Sequence, residues 1–137
     1  MEIPNDVRIK ATISPGSVYY FTDKSFTSDE PHYFVVLNCS PLLLVCASSQ
    51  IDKVKRRRYL CPNSTLVEIT PDQYPGFSRH SIIDCNFVAE HTAETLIALL
   101  DKGELKIKPE MPLGLVNAMI SAVLDSPVVA QKVKKWL

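Results

Sequence analysis

The chain has 137 residues, of which 46% are hydrophobic and 22% are charged. This composition excludes an intrinsically disordered chain, and the length predicts one domain, residues 1–137, with a single core. Fifteen basic and fifteen acidic side chains cancel, which argues against a general polyanion binder but leaves local charge clusters open.

Neither targeting nor cofactor motifs stand out in the chain. The first residues lack the basic and apolar segments of a signal peptide, and no apolar run approaches the ~20 residues that span a bilayer. We therefore expect a cytoplasmic protein with no membrane association, no cofactor and no metal.

Cysteines occur at Cys39, Cys46, Cys61 and Cys85 without a Cys-x-x-Cys pair, so we expect their thiols to be buried. A zinc site of Cys61, His80 and Cys85 lacks the usual close ligand spacing.

Up to about residue 88 the chain shows short β-type runs separated by turn residues. Val, Ile, Tyr and Phe are concentrated in these runs, and Pro and Gly supply the turns. We predict strands over residues 17–22, 33–38, 42–47, 58–61, 66–69 and 81–85. Short strands with no helix between them favour a small, strongly curved barrel.

From residue 89 to residue 137 the pattern is mostly helical. Thr92 is placed to cap a helix that Gly103 ends. Residues 105–108 alternate and predict a short strand, and the apolar spacing in residues 113–124 predicts an amphipathic helix. Ser126 is placed to start a last helix. The predicted apolar side of that helix consists of Val129, Val133 and Trp136.

The order of the first strands carries a family resemblance. A strand follows the turn Pro15-Gly16, a second is led by Pro31, and a third ends in Ser48-Ser49-Gln50. Over residues 14–86 this order resembles the PemK/MazF family of small β-barrel toxins, many of which cut RNA. The resemblance implies a mainly β fold with C-terminal helices (α+β), built on a small antiparallel Src-homology-3-like barrel. It also implies a prokaryotic toxin that acts on RNA, with a protein antitoxin as partner and a homodimer as working state.

Two residues are candidates for catalysis. In the related toxins a Ser or Thr at the place of Ser48 lies beside the RNA phosphate, where a hydroxyl can donate a hydrogen bond; alternatively, Ser48 only opens a turn. The nuclease members usually place Arg just before the proline of the second strand, but this chain has Glu30. His32 is then the best replacement acid or base. The alternative for His32 is a solvent-facing residue at a strand start.

A basic run begins directly after the third strand. Residues 53–58 carry five positive charges in six positions, and such a run either contacts successive phosphates or is a solvated loop. The predicted nucleic-acid-binding residues are Ser49, Gln50, Lys53, Lys55, Arg56, Arg57, Arg58, Arg79 and His80. Candidate base-stacking side chains are Tyr19, Tyr20, Phe21, Phe26, Tyr33 and Tyr59, of which half are expected in the core. Asp84 is interpreted as a structural hydrogen-bond acceptor or a cleft residue.

Two classes of function follow from these residues and the resemblance. The first is a metal-independent endoribonuclease of a toxin–antitoxin system. The second is a non-catalytic module that binds nucleic acid or protein on the same barrel, in phage defence or in a mobile element. Glu30 in place of the family's arginine keeps both classes open.

Overall fold

A computed structural model of the chain describes residues 3–24 and 29–137. In these ranges the chain forms five α-helices and six strands. The helices are α1 (Asn5–Thr12), α2 (Ile51–Arg57), α3 (Ala93–Asp101), α4 (Leu113–Asp125) and α5 (Gln131–Lys134), with a short 3-10 helix at Asn63–Thr65. The strands are β1 (Val18–Phe21), β2 (His32–Cys39), β3 (Leu42–Ser48), β4 (Leu66–Ile69), β5 (Ser81–His91) and β6 (Leu105–Lys108).

The six strands form one antiparallel sheet in the order β4-β5-β3-β2-β1-β6. The predicted α+β class is therefore confirmed. Strand β6, from the C-terminal part of the chain, pairs with β1 and forms one edge of the sheet. Strand β4 forms the other edge, and among the described strands these two edges do not pair. The sheet is open, so the closed Src-homology-3-like barrel is not confirmed.

Helices cover both faces of the sheet. Alternate residues of a strand point to opposite faces, so Val35 and Val45 belong to one apolar core while Phe34 and Leu44 belong to the other. The first core is completed by Val116, Met119 and Val123 of α4. The second core is completed by Ile9 of α1 and Leu96 of α3. Because both faces are buried, β2 and β3 are apolar almost throughout.

The sequence-based prediction is wrong at two points before residue 88. It misses helices α1 and α2, and it places a strand at residues 58–61 where none forms. Residues 51–57 form α2, whose charged side chains favour a helix and whose single buried residue is Val54. Arg58 caps the C-terminus of α2, so residues 58–61 are not a strand. Helix α1 likewise buries only Ile9. One apolar anchor per helix gives no periodic pattern to detect.

The C-terminal elements largely follow the prediction. Thr92 caps α3 by accepting a hydrogen bond from the Thr95 N–H at 3.1 Å, and β6 and α4 form where expected. Ser126 does not start the last helix, however, because it ends α4. Val129 and Leu137 pack on the core beside α4, whereas Trp136 is 55% exposed. Helix α5 has only four residues and contains neither Val129 nor Trp136, so the predicted apolar side does not lie on one helix.

Strand β5 contains a large bulge beside β3. Between the pairs Leu44–Ala89 and Cys46–Asp84, β3 advances by two residues while β5 advances by five. Such irregularities bend a strand and redirect its side chains. Here Asn86 is buried within the bulge, while Phe87 is exposed. No helix in the described ranges is both long enough and apolar enough to cross a bilayer.

Candidate functional site

An open cleft of about 650 Å³ lies at one end of the sheet. In the antiparallel sheet, β2 and β5 begin at the end where β1 and β3 finish. The polar residues that start and end these strands therefore lie close together. The pairs Phe21–His32, Tyr33–Ala47 and Ser48–Ile82 all lie at this end. Helix α2 follows β3 after two residues and forms one wall of the cleft.

The cleft brings together most of the predicted site residues, and a neighbouring groove contains the others. His32, Ser48, Ser49, Gln50, Lys53, Arg57, Arg58 and Arg79 line the cleft. Lys55, Arg56 and His80 line the shallower groove, which shares Ser49, Gln50 and Lys53 with the cleft. The two depressions are therefore continuous around the start of α2.

His32 is held at the start of β2 by a local hydrogen bond. Its Nδ1 lies 3.0 Å from the backbone carbonyl oxygen of Glu30. A carbonyl oxygen only accepts, so Nδ1 carries the proton and donates it. In the neutral ring the lone pair is then on Nε2, which is the form that a general base requires.

Ser48 occupies the turn between β3 and α2. Its Oγ accepts a hydrogen bond from the Gln50 N–H at 3.1 Å, as expected if it opens a turn. A serine hydroxyl that accepts one hydrogen bond still has a proton to donate. The turn therefore fixes the position of Ser48 in the cleft without removing its capacity to contact a phosphate oxygen.

Asp84 holds two of the cleft arginines. Its Oδ2 lies 2.9 Å from Arg58 Nε and 3.4 Å from an Arg57 guanidinium nitrogen. The Asp84 side chain is only 8% exposed, whereas those of Arg58 and Arg57 are 23% and 53% exposed. Asp84 thus lines the cleft and also acts as a structural acceptor. Arg58 belongs to this buried pair, while Arg57 extends into the open part of the cleft.

A buried hydrogen-bond network connects Asp84 to the end of α4. Asp84 Oδ1 accepts hydrogen bonds from the backbone N–H and the side-chain amide of Asn86, at 3.1 and 3.2 Å. The Asn86 amide also donates to Thr65 Oγ1 at 2.8 Å, and Ser126 Oγ donates to Asn86 Oδ1 at 2.7 Å. The network fixes the bulge of β5, and with it the wall of the cleft.

Glu68 neutralises part of the positive charge in the groove. One of its oxygens lies 3.2 Å from Lys55 Nζ, and the other lies 3.4 Å from His80 Nε2. Lys53, Arg56 and Arg79, in contrast, form no ion pair with any other described residue. Among the described cations that line the cleft or the groove, these three have a positive charge that no carboxylate shares.

The cleft has an aromatic end. The rings of Tyr20 and Tyr33, which are paired across β1 and β2, have centroids 4.7 Å apart. Phe77 meets Tyr33 edge-on at 5.0 Å. Lys108 Nζ lies over both tyrosine rings, 5.6 and 5.9 Å from their centroids. Of the other predicted stacking residues, Tyr19 and Phe21 are buried in the core and Tyr59 is exposed outside the cleft lining, while Phe26 lies outside the described residues.

The cysteine thiols are poor nucleophiles at this site. Cys46 lines the cleft, and burial, aided by the negative charges of Asp84 and Asp23, raises the pKa of its thiol to about 12. Burial also raises the pKa of Cys85. Cys61 is half-buried and Cys39 is exposed, so not all thiols are buried as expected. Cys61, His80 and Cys85 do not form a metal site, and no other cluster of three potential ligands occurs among the described residues.

The cleft therefore combines cations, an imidazole with a basic nitrogen, serine hydroxyls and aromatic rings. Cations and hydroxyls bind phosphate oxygens, and aromatic rings stack on bases. The signals for the imidazole and the hydroxyls are present in the sequence. The pairing of Asp84 with Arg58 and the contact of Tyr20 with Tyr33 have no local signal in the sequence.

A comparison of the chain with protein-family models gives no match, and a comparison with curated proteins gives none either.

Proposed function

We propose that this protein binds RNA in the cleft and cleaves it as a metal-independent endoribonuclease. The observation that carries this proposal is the concentration of positive charge. The whole chain is neutral, yet Lys53, Arg57, Arg58 and Arg79 line the same cleft as His32 and Ser48. A local cationic surface next to an acid–base group is what phosphodiester chemistry needs.

The reaction that fits these groups is attack by the ribose 2′-hydroxyl on the adjacent phosphorus. His32 Nε2 takes the 2′ proton, a bond forms between the 2′-oxygen and phosphorus, and the bond from phosphorus to the 5′-oxygen breaks. The products are a 2′,3′-cyclic phosphate and a 5′-hydroxyl, and the leaving 5′-oxygen takes its proton from solvent in the open cleft. Ser48 donates a hydrogen bond to a phosphate oxygen.

Cations from other elements take the place of the arginine that this chain lacks at position 30. Negative charge increases on the phosphate oxygens in the transition state, and nearby cations stabilise it. Arg79 and Arg57 approach the cleft from the segment before β5 and from α2. Both are exposed enough to move onto a phosphate. In this proposal Glu30 contributes its backbone carbonyl, which orients His32.

The biological setting that we propose rests on the resemblance to the PemK/MazF toxins. In that setting the protein is the toxin of a prokaryotic toxin–antitoxin pair. It acts as a homodimer, and a protein antitoxin inhibits it. Inducible expression in a bacterium should then stop growth and degrade RNA, and His32→Ala should restore growth.

A second candidate is RNA binding without cleavage. It is favoured by the involvement of polar cleft groups in internal contacts, since Ser48 accepts the turn hydrogen bond and Asp84 pairs with Arg57 and Arg58. In this case the protein would hold RNA and leave it intact.

Incubation of the purified protein with a labelled single-stranded RNA in excess chelator distinguishes the two candidates. We expect cleavage products that end in 2′,3′-cyclic phosphate, and a rate that His32→Ala lowers by ~10²-fold or more. His80→Ala removes the imidazole of the neighbouring groove, which contacts Glu68. Because His80 is a predicted binding residue and not the base, this variant should weaken RNA binding at most and keep the cleavage rate at saturating RNA. Binding without any product would favour the second candidate, and full activity of His32→Ala would exclude the proposed base.

A further inference from the structure

The aromatic end of the cleft is built as a rigid surface. Tyr20 and Tyr33 are half-buried, so each ring keeps an accessible part. Behind them, Phe77 packs edge-on against Tyr33, and Tyr74 packs edge-on against Phe77 at 4.7 Å. The Tyr74 hydroxyl donates a hydrogen bond to the backbone oxygen of Pro109 at 2.5 Å. This chain of contacts holds the Tyr33 ring in place before any ligand arrives.

A positively charged side chain lies beside these rings. The ammonium group of Lys108 lies over both tyrosines, and Tyr20, Tyr33 and Phe77 share the cleft with His32 and Arg79. An apolar core explains the burial of Phe77, but it does not explain two partly open rings with a cation beside them. A nucleotide combines a planar base with an adjacent negative phosphate, so its two parts match the rings and the cation.

We propose that Tyr20 and Tyr33 form a nucleobase subsite, in which one unpaired base of the bound RNA stacks on the tyrosine pair. Lys108 contacts a phosphate next to that base. This inference deepens the proposed function and rests on it. The base is read by its flat face, so the subsite requires a ring and tolerates different bases.

The test measures the affinity of short, labelled single-stranded RNAs by fluorescence anisotropy. Tyr20→Leu keeps an apolar side chain and removes the ring, and it should weaken binding about tenfold, the typical loss when one stacking contact is removed. Tyr20→Phe keeps the ring and should bind like the original protein. Tyr59→Leu is the matched control, because Tyr59 is 77% exposed and does not line the cleft. Thermal melting of each variant shows whether it is folded.

A series of RNAs with one abasic position each identifies stacking directly. One abasic position should weaken binding to the original protein by about tenfold and leave the affinity of Tyr20→Leu unchanged, because the two changes remove the same contact. If folded Tyr20→Leu binds intact RNA as the original protein does, or if every abasic position affects both proteins equally, the subsite is excluded while RNA binding stands. If the original protein binds no RNA at low salt, the proposed function and the subsite both fail.

Discussion

At the scale of single residues, the two arginines that contact Asp84 have different roles. The Arg58 side chain is mostly buried and its Nε is 2.9 Å from the carboxylate, whereas Arg57 is half exposed and 3.4 Å away. Exposed ion pairs contribute little to stability, while removing one partner of a buried pair is costly. We infer that Arg58 maintains the fold and that Arg57 is available to RNA.

The first prediction compares Arg57→Gln with Arg58→Gln. Arg58→Gln should lower the free energy of unfolding by about 1–3 kcal/mol, because Asp84 then keeps only the weaker pair. Arg57→Gln should change it by less than about 1 kcal/mol and should weaken RNA binding. Urea unfolding and RNA titration measure the two effects. Equal destabilisation by the two variants would contradict this division of roles.

At the scale of elements, the bulge of β5 depends on Ser126 at the end of α4. Ser126 Oγ donates to Asn86 Oδ1 and accepts hydrogen bonds from the N–H groups of Val128 and Val129, at 3.2 and 3.3 Å. Ser126→Ala removes the hydrogen-bond donor to the buried Asn86 Oδ1 and the acceptor for these two N–H groups, so it should lower the free energy of unfolding by about 1–3 kcal/mol. Ser121→Ala, on the exposed side of the same helix, is the control and should have almost no effect. Similar urea midpoints for both variants would show that the network does not stabilise the bulge.

Some elements of the fold could be predicted from the sequence, and others could not. Strands β2 and β3 are long apolar runs with clear turns, and Thr92 and Gly103 mark the ends of α3, so these elements follow from local chemistry. Helix α2 has one buried residue, Val54, so its sequence lacks the apolar periodicity that distinguishes a helix from a solvated loop. The cleft could be predicted in part, because Ser48 and His32 end and begin neighbouring strands. The contacts of Asp84 with Arg58 and of Tyr20 with Lys108 join distant positions, so only the folded chain reveals them.

At the scale of the whole molecule, buried phenols make stability depend on pH in the alkaline range. Burial, with a smaller contribution from Tyr33, raises the pKa of Tyr74 from 10.0 to about 12. Between these values the unfolded chain loses the Tyr74 proton while the folded chain retains it. The unfolded state then binds fewer protons, so the free energy of unfolding falls as the pH rises from about 10 to about 12.

Tyr74→Phe tests this dependence. Urea unfolding at pH 9 and pH 11 should show a smaller loss of stability in Tyr74→Phe than in the original protein, because one shifted group has been removed. Tyr59→Phe, which changes an exposed phenol, should retain the full loss. An identical pH dependence in all three proteins would mean that the Tyr74 phenol is not protected by the fold.

The central claim is that the charges of the cleft bind RNA although the molecule is neutral. Its most direct test is the salt dependence of single-stranded RNA binding in a variant that combines Lys53→Gln, Arg57→Gln and Arg79→Gln. Each lost phosphate contact lowers the slope of log affinity against log salt by ~0.7, so the slope should fall by about 2. The control removes three exposed charges outside the cleft lining, through Lys10→Gln, Lys102→Gln and Lys135→Gln, and should keep the original slope. Equal slopes in both variants would contradict the claim that RNA binds in this cleft.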